Sequence, residues 1–187
     1  MKLNRRLIRR RSRAFFRAFT LIEMVLVVSI VAILIVLAFP AFQKVREKAE
    51  GIVCMGHLRG LHVALNAYVQ DHKQWPQTPD DVADQTALAG WWIDTLAPYN
   101  NSKNSWHCPT FDRRYKANPA QFSDNPRIHY VPTQFDDKPL TPFRWSTMPW
   151  LIEIGDFHGN GNLMIFPDGS IRTIKDVFYE QTGEKWQ

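Results

Sequence analysis

Between Phe19 and Phe39 the sequence reads FTLIEMVLVVSIVAILIVLAF, 21 residues with a single charged group, Glu23. A helix of that length reaches about 30 Å, the thickness of a bilayer's hydrocarbon core, so the run predicts a membrane span. Polar positions then return. Val45, Ala49, Ile52, Leu58, Leu61, Leu65 and Tyr68 follow at short helical steps and predict an amphipathic continuation with one apolar face. Pro76 should end it, because proline lacks the helical N–H and disfavours helix in the residue before it, whereas Pro40 inside predicts a gentle kink. Further on the pattern shortens. Helical pieces are expected at Asp80 to Ala89 and Trp91 to Tyr99, then mostly loop from Asn100 to Pro142 with a strand at Ile128 to Val131. A better strand lies at Trp150 to Ile154. The clearest element is Asn162 to Phe166, a Pro167-Asp168-Gly169-Ser170 turn, and Ile171 to Ile174, which read as a β-hairpin. The expected fold class is therefore α+β, a long N-terminal helix with a small antiparallel sheet lying on its amphipathic half.

The net charge of +5 changes meaning once it is located along the chain. Residues 1–18 hold Lys2, Arg5, Arg6, Arg9, Arg10, Arg11, Arg13 and Arg17 and no acidic group, so the remainder carries 15 basic against 18 acidic residues. A body of that sign offers phosphate no general attraction, which removes the main compositional support for nucleic-acid binding by the folded part. The same eight cations precede the apolar run and place the N-terminus in the cytoplasm by the positive-inside rule. Residues beyond about 45 would then face outward.

The stretch Arg17-Ala18-Phe19-Thr20-Leu21-Ile22-Glu23 resembles the processing site of type IV prepilins and type II secretion pseudopilins. The resemblance implies that a prepilin peptidase cuts between Ala18 and Phe19, that the new amine of Phe19 is N-methylated, and that Glu23 is the assembly glutamate. It also makes Pro40 the helix-bending proline, although Ala18 stands where the family usually has Gly. An acid at the hydrocarbon edge costs about 2–3 kcal/mol unless paired, and the amine freed by cutting is the partner a neighbouring subunit would offer. The implied organisation is a basic leader (1–18), a transmembrane helix half (19–41), an amphipathic half (42–75) and an outer globular α+β domain (76–187), a pilin-like fold. Implied partners are the peptidase, inner-membrane lipid and homo- or hetero-oligomeric filament subunits, and the implied product is a pilus or pseudopilus rather than an enzyme.

A second resemblance joins His158, nine residues, then Asp168-Gly169 to a prepilin-type subgroup with that His-x9-Asp-Gly signature; Cys54-Met-Gly-His-Leu-Arg59 and Trp106-His-Cys-Pro109 resemble its two cysteine segments. Cys54 and Cys108, the only cysteines, are spaced unlike a zinc knuckle or redox pair. Two readings stay open for them: buried free thiols, or a disulfide contributing about 4 kcal/mol by loop closure in an oxidising compartment. Asp156, His158 and Asn160 with Gly161 begin like a calcium loop, but Pro167 stands where a bidentate Glu belongs, and turn chemistry accounts for the same residues without an ion or other cofactor. His158 with Asp168 is the acid–base pair that a monomeric, membrane-anchored periplasmic hydrolase or binding domain would use, the alternative to a filament subunit. Hydrogen bonding of His158 within the hairpin is the simpler expectation. The tryptophans at 91, 92, 106, 145 and 150 are expected to serve packing before a ligand groove.

Overall fold

A computed structural model describes residues 19–80, 82, 84–99, 101–121, 127–159 and 161–184. Its chain divides into two units, one through Phe42 and one from Gln43 onward. The expected leader, Ala18 and Asn160 lie outside the described residues.

In the first unit, helix α1 (Leu21–His72) begins at a capping box. The Glu23 carboxylate accepts from Thr20 N (2.9 Å) and Thr20 Oγ1 (2.7 Å), and Thr20 Oγ1 accepts from Glu23 N (3.3 Å). Its side chains from Leu21 to Leu37 are exposed and, Glu23 and Ser29 apart, apolar; among the described residues it is the one helix long and apolar enough to cross a membrane. Ser29 turns its hydroxyl back to Val25 O (2.6 Å), which satisfies it without water. Pro40 stands inside the helix.

In the second unit, α1 ends at His72, close to the expected stop. Its apolar face differs from the expected one. Gly51, Cys54, Leu58, Leu61, Ala64, Leu65 and Val69 are buried, whereas Val45, Ala49 and Ile52 are exposed. Helical geometry gives the reason: Ile52 and Leu58 are six residues apart, about 600° at 3.6 residues per turn, which puts them on well-separated faces. The expected stripe was two stripes, and only one of them covers the core.

A four-stranded antiparallel sheet packs on that buried face, with strands β1 (Tyr130–Pro132), β2 (Leu151–Glu153), β3 (Leu163–Ile165) and β4 (Ile171–Thr173) in sequence order. The β3–β4 hairpin is in register with Leu163 opposite Thr173 and Ile165 opposite Ile171. Its turn closes through Gly169 N to Phe166 O (2.9 Å), and Gly169 takes a φ of +77° that a side chain would strain. The first strand starts at Tyr130, two residues later than expected.

Helix α2 (Gln85–Leu96) joins the two expected pieces and is capped by Asp84 Oδ1 accepting from Ala87 N (2.6 Å). Two helices were not expected at all. Helix α3 (Pro109–Ala117) starts with Pro109 in its first turn, where the missing N–H has no helical partner to lose. Helix α5 (Ile174–Thr182) starts at a Thr173–Asp176 capping box and stops at Gly183, with φ +71°. One further turn, α4, spans Thr141–Arg144. Trp75, Trp92, Trp106 and Trp150 are fully buried, with Trp75 edge-on to Phe135 (4.8 Å), Trp150 (5.2 Å) and Trp92 (6.4 Å); such pairs each add about 1 kcal/mol beyond area burial. Trp91 is half-buried and Trp145 exposed.

Candidate functional site

The residues at the start of α1 are placed as follows. Phe19 precedes the helix and is exposed, and Glu23 sits in the first turn, held by Thr20. That capping role is one the reading of Glu23 as an assembly residue did not include, and the signal for it, Thr-x-x-Glu before an apolar run, is in the sequence.

On the second half of α1 the outward face carries Val45, Ala49, Ile52, Gly56, Gly60 and Val63, all exposed. These positions are related by helical steps of three, four and seven residues, so they form one strip. A Cβ built at Gly56 or Gly60 would meet nothing within 4 Å. Among the described residues nothing therefore requires glycine there, although each glycine weakens a helix interior by about 0.5–1 kcal/mol relative to alanine.

The inward face carries chemistry. Cys54 from α1, Cys108 at the start of α3, Glu153 at the end of β2 and His158 from the β2–β3 loop meet in the interior. The sulfurs of Cys54 and Cys108 stand 2.9 Å apart as free thiols, Cys108 Sγ is 3.6 Å from His158 Nε2, and His158 Nε2 is 3.4 Å from Glu153 Oε1. Both cysteines and Glu153 are fully buried. Backbone geometry makes the room: His158 lies over Gly51, where a Cβ would come to 3.3 Å from its Nδ1. Cys108 is fixed from behind by its N–H donating to His129 Nδ1 (2.8 Å). Hydrogen bonding to Cys108, then to Glu153, raises the His158 imidazole to about 10, against the effect of burial. The Cys54 contact and burial push the Cys108 thiol up, and burial, followed by the charge of Cys54, does the same to the Tyr130 hydroxyl beside it.

The α3 helix is tied to α1 by a bidentate ion pair. Glu50 accepts from Arg113 Nη2 (2.9 Å) and Nε (3.1 Å), and also from Thr110 Oγ1 (2.9 Å) and Arg46 Nε (2.9 Å). Arg113 is the main cause, aided by Thr110 and Arg46, of a Glu50 carboxyl lowered to about 2 despite its burial.

The expected pairing of His158 with Asp168 is not what the contacts show. Asp168 Oδ1 accepts from Ser170 N (2.9 Å) inside the hairpin turn and its Oδ2 lies 4.0 Å from Arg172 Nη2, while His158 faces the thiols and Glu153. His158 thus does not bond within the β3–β4 hairpin. The hairpin is instead docked on α1 by His62, whose Nε2 is 3.1 Å from Pro167 O. Of the calcium-loop residues, Asp156 Oδ1 accepts from Gly159 N (2.7 Å) to close a turn. Glu153 was not singled out from the sequence, since a lone Glu ending a three-residue strand carries no spacing signal.

Three relatives set this arrangement in context. Over 86 residues the chain is 31% identical to a fimbrial protein of Neisseria meningitidis serogroup A / serotype 4A and 30% identical to one of serogroup B, in each case 45% of this chain and 51% of the relative. It is 32% identical to the type IV major pilin protein PilE of Neisseria gonorrhoeae, again over 45% of this chain and 52% of that one. The chain spans about half the length of the curated relatives it matches. No protein-family profile and no solved structure matches it.

Proposed function

We propose that the chain is a structural subunit of a type IV pilus-like or type II secretion pseudopilus filament, held in the bacterial inner membrane before assembly. The observation that carries the reading is the Leu21 to Leu37 stretch of α1, exposed throughout and apolar but for Glu23 and Ser29, in a chain similar to two Neisseria fimbrial proteins and a Neisseria type IV major pilin. Fifteen exposed apolar positions out of seventeen need a non-aqueous environment, first lipid and then neighbouring subunits. The strip of Val45, Ala49, Ile52, Gly56, Gly60 and Val63 extends the same logic beyond the membrane, because small residues let helix backbones approach closely.

In this reading a prepilin peptidase cuts between Ala18 and Phe19, and the amine of Phe19, then N-methylated, pairs with Glu23 of an adjacent subunit. Glu23 is satisfied within its own chain by Thr20, so the incoming amine adds a charged partner to a carboxylate already oriented by the helix start. Pro40 supplies the bend, and the chain after it faces the periplasm. The folded part binds no nucleic acid, and the chain is structural rather than enzymatic.

Replacing Glu23 with Gln separates this from a membrane-anchored monomer. Membrane insertion should persist while cross-linkable oligomers in the native host fall to near background. Undiminished oligomers in the Glu23→Gln variant would rule the pairing out.

A further inference from the structure

We propose that Cys54, Cys108, His158 and Glu153 form a structural tetrahedral site for a zinc-class transition metal. Three segments distant in sequence deliver one sulfur each from α1 and the start of α3 and, five residues apart, one oxygen from the end of β2 and one nitrogen from the β2–β3 loop. All four donor atoms lie within 4.8 Å of one another.

The distances suit such a cage. Zinc bonds of about 2.3 Å to sulfur and about 2.0–2.1 Å to nitrogen and oxygen give tetrahedral edges of about 3.5 Å for sulfur to nitrogen and about 3.3 Å for nitrogen to oxygen. The observed separations are 3.6 Å for Cys108 to His158 and 3.4 Å for His158 to Glu153. The sulfur pair, at 2.9 Å, opens to about 3.8 Å on binding, a shift within the reach of one cysteine side chain. The donor set selects the metal. Two thiolates with an imidazole favour zinc and its neighbours over calcium or magnesium, which take oxygen ligands.

A disulfide would use the two sulfurs and leave the rest of the cluster unexplained. Glu153 is fully buried, its Oε2 accepts a long bond from Leu163 N (3.4 Å), and its Oε1 has His158 Nε2 facing it at 3.4 Å. Its separation from the His158 nitrogen is long for a charge-assisted hydrogen bond, which runs about 2.7–2.9 Å. A buried carboxylate held only by such long contacts is poorly compensated, whereas a dication at the centre of the cluster gives it a ligand role. Gly51 fits the same account, since the helix backbone yields there to the imidazole.

The site would join α1, α3 and the sheet at one point, independently of how the subunit assembles. The test is metal analysis of the full chain, purified from membranes in detergent without chelator. About one zinc per chain is expected. Exchange for cobalt(II) should give tetrahedral d–d bands and a thiolate-to-cobalt charge-transfer band. Both thiols should resist alkylation until chelator is added. Cys54→Ser should abolish the charge-transfer spectrum, and Glu153→Gln should weaken metal binding more than tenfold. The wild-type cobalt spectrum and alkylation pattern decide the matter even if a variant fails to fold. A protein without metal, a Cys54–Cys108 disulfide two hydrogens lighter by mass, or bound cobalt without a thiolate band would each overturn the proposal.

Discussion

Two faces of the same stretch of α1 obey opposite rules. Toward the sheet stand Cys54, Leu58, Leu61, Ala64 and Leu65, at most 1% exposed and in contact with strands and tryptophans. Away from it stand Val45, Ala49, Ile52, Gly56, Gly60 and Val63, all exposed, with open space above Gly56 and Gly60. An apolar side chain on a buried face is explained by the fold, whereas one on an exposed face calls for something outside the chain. The contrast teaches that periodicity alone does not say which apolar stripe covers a core; in this helix the second stripe stays exposed.

Substitutions on the two faces should separate accordingly. The largest effect is expected at the core. Leu61→Ala should cost about 3 kcal/mol of stability, read by denaturant unfolding of the detergent-solubilised chain through its buried tryptophans. A smaller loss, on the order of 2 kcal/mol after solvent screening, is expected for Glu50→Gln, which breaks the bidentate pair holding α3 to α1. Its pH dependence has a definite sign. A carboxyl lowered from 4.5 to about 2 on folding stabilises the native state fully above about pH 4.5. The gap between wild type and Glu50→Gln should therefore close as pH falls from about 4.5 toward about 2.

On the outward face the sign reverses. Gly56→Ala and Gly60→Ala should each stabilise the subunit by about 0.5–1 kcal/mol, since a methyl group fits in open space and alanine favours helix. The same changes should lower the yield of cross-linked oligomers from the native host. Smallest of all, Ile52→Ser should move subunit stability by no more than about 0.5 kcal/mol. A large destabilisation by Ile52→Ser, or full oligomer yield from the doubly alanine-substituted helix, would erase the distinction between the faces.

The sequence showed the long helix, its end near His72, the β3–β4 hairpin and the α+β class, because each rests on a local signal of period or turn chemistry. Helix α3 was hidden because it falls in the stretch from Asn100 to Pro142 that reads as mostly loop, where Pro109 is a first-turn residue that a helix tolerates. Helix α5 was hidden because its capping box overlaps the end of the last strand, so Ile174 was assigned to β4. Cys54, Cys108 and His158 were each visible as candidates, yet their meeting was not. It depends on contacts spanning 50 residues or more, and on Glu153, which only the pairing of β2 with its neighbours brings into place.

The central claim, that the exposed apolar helix is an assembly element released from a leader, is tested most directly by intact-mass and N-terminal analysis of the protein extracted from its native membranes. The account predicts a chain that begins at Phe19 with a methylated amine. A mature chain that still begins at Met1 would contradict it.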